Sequence, residues 1–151
     1  MKDILSIQNY LFRNIPLTKA MGVGVVEAEP DKVVLNAPLE PNINHRETVF
    51  GGSASALCIL SAWALVHFRL QHEGFACRVV IHKNTMIYEK PILSEFTACC
   101  ILADQQSWAA FVKVLSKKGK SRVTLTSSLE CGGEKVGSFE GTLVAMFVSE
   151  K

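Results

Sequence analysis

The 151-residue sequence has no long run of like charge. Its 16 lysines and arginines stand against 14 aspartates and glutamates, a formal net charge of +2. That near-balance excludes the strongly basic domain or stripe of a general nucleic-acid binder. The five cysteines, Cys58, Cys77, Cys99, Cys100 and Cys131, cannot all pair with one another. None falls in a CxxC or a Cys/His ligand spacing, so no zinc site and no other metal is expected. Free thiols in a reducing cytoplasm follow, and the expected location is cytoplasmic. His67 and His72 lack the HExxH spacing of a metalloprotease. No cofactor is expected. No secretory leader is expected either, because Asp3, Gln8, Asn9 and Arg13 interrupt the apolar residues of the first segment. The most apolar stretch runs from Ser53 to the His67-Phe68-Arg69 end. It is shorter than the roughly 20 residues of a membrane span and carries three serines, so a buried helix is expected and no membrane partner.

Hydrophobic residues make up 48% of the chain and charged residues 20%, which excludes intrinsic disorder. Residues 1–151 are read as one domain, large enough to bury a core without a disulfide or metal staple. The N-terminal segment has Ile4, Ile7, Leu11 and Ile15 at helical spacing, and Pro16 stops it. Leu17 to Met21 fit one further short turn. Two β-branched runs around Pro30-Asp31 read as an antiparallel hairpin. The segment beginning at Ser53 is apolar almost all round, as a helix enclosed by protein must be. A long strand follows from Cys77 until Pro91 stops it, and another runs from Phe96 to Ala103. A helix from Ser107 ends at a Gly119 cap, and two last strands flank the Cys131-Gly-Gly-Glu134 turn. This is an α+β order with an antiparallel sheet. A single all-apolar helix needs that sheet curved around it, which is the hot-dog arrangement.

The segment from Asn44 to Ser53 carries the strongest chemical signal. Gly51 and Gly52 allow close backbone approach just before a helix start, where unpaired N–H groups and the positive dipole end are exposed. Such a site can hold a carbonyl oxygen that becomes negative in a tetrahedral intermediate. Asn44 offers an uncharged side chain that can orient water or a carbonyl. The same glycine pair also serves a plain loop-to-helix junction.

The element order and this segment resemble the hot-dog thioesterase superfamily, in particular its Asn-x5-His-Gly-Gly group, and most of all the YiiD C-terminal thioesterase-like family. The residues that carry the resemblance are Ile15 to Gly22, Asn44 to Ser53, Trp63, Tyr88-Glu-Lys-Pro91 and the Trp108 to Lys120 helix, nearly the whole chain. Two positions depart from the pattern. Phe50 stands where the group has the His of His-Gly-Gly. Ile59 stands where the superfamily often has an acid on the central helix, and no Asp or Glu occurs from Ser53 to Gln71.

The resemblance implies hydrolysis of acyl-CoA or acyl-carrier-protein thioesters, with the Gly52 N–H and Asn44 polarising the carbonyl. His45 and Ser55 are the candidate groups for handling the attacking water. Around them Phe50, Gly51, Ser53, Ile59, Trp63 and His82 would line the substrate site, with the acyl chain beside Trp63. His45 also fits an ordinary surface loop, Ser53 a first-turn cap, and His82 a hydrogen-bonded sheet position. Lys117 and Lys118, in a cluster with Lys113, Lys120 and Arg122, could meet coenzyme A phosphates or an acidic carrier protein, or simply a helix C-terminus and solvent. The resemblance implies a homodimer with two interfacial sites; further pairing into a tetramer and an acetyltransferase-like partner domain are left open. Two other functions remain open: a non-catalytic acyl-thioester binding module, favoured by Ile59, and a dehydratase using His45 with Glu47.

Overall fold

Helix α1 (Ile4–Asn14) begins where Asp3 accepts a 2.9 Å hydrogen bond from the Ser6 N–H. It ends before Pro16, which opens a second short helix, α2 (Pro16–Ala20). The hairpin β1 (Gly24–Glu29) and β2 (Lys32–Ala37) follows, then a single 3-10 turn at Glu40–Asn42. The long helix α3 spans Gly51–His72. Strands β3 (Cys77–Tyr88) and β4 (Phe96–Ile101) precede α4 (Gln105–Lys118), and β5 (Lys120–Cys131) and β6 (Glu134–Phe147) close the fold. The computed structural model describes residues 1–149.

All six strands form one antiparallel sheet in the order β1-β2-β4-β5-β6-β3. Alternate residues of β5, from Ser121 to Leu129, are buried against the core, and the intervening ones face outward. The sheet curves around α3, which packs on β2, β3, β4, β5 and β6. Leu57, Cys58, Ala62, Ala64, Leu65 and Val66 are completely buried there. The expected α+β hot-dog architecture is therefore present.

The starts of the two longest helices differ from the sequence reading, β3 ends at Tyr88 ahead of Pro91, and β5 begins two residues before Arg122. Helix α3 starts at Gly51, so both glycines lie within its first turn and Phe50 is the cap residue. It has 22 residues, long enough by length and composition to cross a membrane, but protein buries 67% of its apolar window. Helix α4 starts two residues before Ser107, because Asp104 caps it by accepting from the Gln106 and Ser107 N–H groups. Its far end stops at Gly119, whose φ of +74° suits glycine.

Two features of this frame position the site. Strand β3 is twelve residues long and among the described residues pairs only with β6, which leaves its other edge free, and it displays exposed Val80, Ile87 and Tyr88. The sheet also leaves one stripe of α3 uncovered. Gly52 is exposed and Ser55, Ala56, Ile59 and Trp63 are half-buried, whereas His67 one turn further on is buried.

Candidate active site

The site is built where α3 begins. The chain enters it through a folded-back loop: Phe50 N–H donates to Asn42 O at 2.7 Å, Ile43 bridges Val49, and Asn44 N–H donates to Thr48 O at 2.8 Å. Inside that loop the Asn44 carboxamide oxygen accepts from the Arg46 and Thr48 N–H groups at 2.8 and 3.2 Å. Its amide donates one hydrogen to Thr48 Oγ1 at 2.9 Å, and a carboxamide nitrogen carries a second. The turn between them holds Glu47 at φ +62°, a left-handed conformation uncommon for a non-glycine residue. Asn44 is thus fixed in orientation by its own loop.

The helix mouth supplies donors. Ser53 and Ala54 N–H both bond to Phe50 O, at 2.9 and 3.1 Å, while the Gly51 and Gly52 N–H groups make no backbone hydrogen bond. These are the unpaired donors of a helix start, at the positive end of its dipole. A methyl group at residue 52 would collide with the Phe50 ring, which lies directly over it, so glycine is required for Phe50 to occupy this position. Phe50 itself is 58% exposed.

Beside the mouth is a hollow of about 320 Å³ whose walls include Thr48, Gly51, Ala54, Tyr88 and Ile92. Tyr88, from the end of β3, donates its hydroxyl to Gly51 O at 3.1 Å and lays its ring 3.4 Å from where a Gly51 Cβ would be. Thr48 and Tyr88 had no assigned role in the sequence reading. A threonine four residues after Asn44 and an aromatic at a strand end are common features; Thr48 meets Asn44 within one loop, and only a long-range contact brings Tyr88 to Gly51.

The remaining candidates divide. Ser55 and Ile59 lie on the uncovered stripe of α3 and are half-buried, and Ser53 is in the first turn. His45 is exposed on the loop next to Asn44. His82 is exposed on β3 at a bulge, where the register with β6 slips between Ile81 and Lys83. Lys117 and Lys118 are not near the mouth within one chain. They precede Lys120, which pairs with Met146, which pairs with Arg78 at the start of β3, whereas Gly51 is held at Tyr88 at its end. Ten strand residues separate those ends by about 33 Å. Lys118, Lys120 and Arg122 instead line a groove of about 570 Å³ against α4.

Burial governs the thiols. It pushes the Cys58 thiol up to about 12 and Cys100 to about 11, so neither offers a thiolate nucleophile near neutral pH. Among the described residues no three His, Cys, Asp or Glu side chains converge as a metal site.

Similar architectures are known. A protein of unknown function from Chlorobaculum tepidum TLS is 26% identical and superposes with a TM-score of 0.90 over 95% of this chain and 94% of that one. A "putative thioesterase" from Shewanella oneidensis is 23% identical, with a TM-score of 0.83 over 95% and 96% of the two chains. A Pseudomonas aeruginosa protein described as a "probable thioesterase" is 18% identical, with a TM-score of 0.82 over 97% of each. The family model described as "Putative thioesterase (yiiD_Cterm)" matches residues 4–147, and the chain belongs to that family.

Proposed function

We propose that the protein hydrolyses acyl thioesters of coenzyme A or of an acyl carrier protein. The observation that carries this reading is the opening of α3, where two unpaired glycine N–H groups stand at a helix N-terminus, and Gly51 lines a hollow together with Thr48, the residue that holds the Asn44 side chain. In the proposed reaction the thioester carbonyl oxygen accepts from the Gly52 N–H and from the second amide hydrogen of Asn44. Water adds to the carbonyl carbon, and the negative charge that forms on oxygen lies at the positive end of α3. Collapse of the intermediate expels the thiolate, which takes up a proton, and leaves the acid. His45 is the group we assign to accept the water proton, and Ser55, on the uncovered stripe, is assigned to hold the water.

We place the reaction in a homodimer. A twelve-residue free edge bearing exposed Val80, Ile87 and Tyr88 is a pairing surface, and self-pairing of two such edges would cover it. Antiparallel pairing about a two-fold axis sets the start of one β3 beside the end of the other. It would carry Lys117 and Lys118 of each subunit toward the other's α3 mouth, where coenzyme A phosphates or an acidic carrier would lie.

The test uses two variants at residue 44. Asn44→Asp keeps the oxygens that accept from Arg46 and Thr48 but has no amide hydrogen to donate, and Asn44→Ala removes both. Each is expected to lower kcat by roughly 10²–10³, the cost of an oxyanion donor, with thiol release as the readout. Unchanged turnover in both would overturn the assignment. Ile59, where an acid is often found, favours a second reading, an acyl-thioester binding module without catalysis. Saturable binding of acyl-CoA with no thiol release would establish it.

A further inference from the structure

The uncovered stripe of α3 has a definite end. From the mouth it presents Gly52, Ser55, Ala56 and Ile59, all small or slender, and its first large side chain is Trp63. The indole does not swing freely. Its Nε1–H donates to Val79 O of β3 at 2.8 Å, and its ring stacks on His67 at 4.5 Å between centroids with 12° between planes. Behind it Tyr10 of α1 packs on His67 at 5.2 Å and edge-on to Phe68 at 5.4 Å. The N-terminal helix is itself fastened to the sheet, where Gln8 Oε1 accepts from Val25 N–H of β1. His67 is 8% exposed and Phe68 2%, so the stripe cannot continue past Trp63.

Resting on the thioester reading above, we infer that the Trp63–Tyr10–His67 block is the floor of the acyl site and limits the protein to acyl chains of about 8 to 10 carbons. The length follows from helix geometry. Gly52 and Trp63 are eleven residues apart, about 16 Å along the axis. Helical side chains lean toward the N-terminus, so the indole reaches back by roughly one turn, about 5 Å, and leaves about 11 Å. An extended acyl chain with bonds of about 1.5 Å advances about 1.25 Å per carbon, so about nine carbons fill that space.

The experiment offers the purified protein acyl-CoA thioesters from 4 to 16 carbons and follows thiol release and, separately, binding by isothermal titration calorimetry. Wild type is expected to peak at 8 to 10 carbons and to fall at least tenfold by 14. Trp63→Leu deepens the floor and is expected to move the optimum about two to four carbons longer. Tyr10→Leu, which loosens the block from behind, is expected to move it in the same direction, and far-UV circular dichroism checks that each variant folds. An optimum at 14 or more carbons in wild type, or the same length profile in both folded variants, would overturn the floor. The two readings separate cleanly. Binding that peaks at 8 to 10 carbons without hydrolysis upholds the floor and removes the hydrolase, and neither binding nor hydrolysis removes both.

Discussion

Histidine 67 gives a pH dependence that can be worked out in advance. It is buried in the aromatic block, its Nε2 has no hydrogen-bond partner, and the Lys2 ammonium lies about 6 Å from the adjoining Tyr10 and Phe68 rings. Burial, aided by the Lys2 charge, lowers its pKa from 6.5 to about 4. Between those values the unfolded chain binds a proton at residue 67 that the folded chain refuses. Stability contributed by neutral His67 is therefore full above about pH 6.5, is lost as pH falls, and levels off below about pH 4. The complete loss is about 3 kcal/mol, and at pH 5 it is about 2 kcal/mol. Urea unfolding at pH 7.5 and pH 5.0, at fixed protein concentration, measures it against His67→Leu, which cannot titrate. All other groups titrate in both proteins, so the difference of differences isolates residue 67. Wild type should lose about 2 kcal/mol more than the variant, a shift of about 1 M urea in the midpoint. Equal losses within about 0.5 kcal/mol would refute the account and would mean that His67 is solvated or finds a partner for its proton.

Two further predictions rest on other contacts. Cys58 and Cys100, with thiols raised to about 12 and 11 and no exposed surface, should stay silent toward a disulfide thiol reagent in the folded protein at pH 7.5, while the partly exposed Cys77, Cys99 and Cys131 react. Rapid titration of all five thiols without denaturant would count against the packing of α3 on β4. Tyr88→Phe deletes the hydroxyl that donates to Gly51 O and keeps the ring. The melting temperature should change little because the bond is exposed, whereas thioester turnover should fall severalfold as the helix mouth loosens; a turnover equal to wild type would remove Tyr88 from the site.

Local patterns account for how much could be read beforehand. Helix α1 follows from apolar residues at helical spacing and a proline stop, the hairpins from β-branched runs around Pro30-Asp31 and Gly132-Gly133, and α4 from its apolar face and Gly119. The start of α3 was displaced by two residues because glycine pairs read as punctuation, while here Phe50 O accepts from both Ser53 and Ala54 and draws the glycines into the first turn. The far end of α3 is legible in the sequence, where the helix from Ser53 continues past Arg69 to Gln71. In the fold His67 is buried under Tyr10, Arg69 is held by Glu73, Gln105 and Pro30 O, and the helix ends at His72.

The sheet-and-helix composition, the enclosed helix and the placing of Asn44 shortly before a glycine-opened helix start can be read along the chain, because each depends on local spacing. What those residues meet depends on the packed fold. Tyr88 reaches Gly51 across 37 residues, Trp63 reaches Val79 across 16, and Tyr10 closes over His67 from the N-terminal helix. Lys117 and Lys118 fall at the far end of β3 from the site they were expected to serve. Such meetings are set by strand register and by the curvature of the sheet around α3, which are properties of the whole packed core.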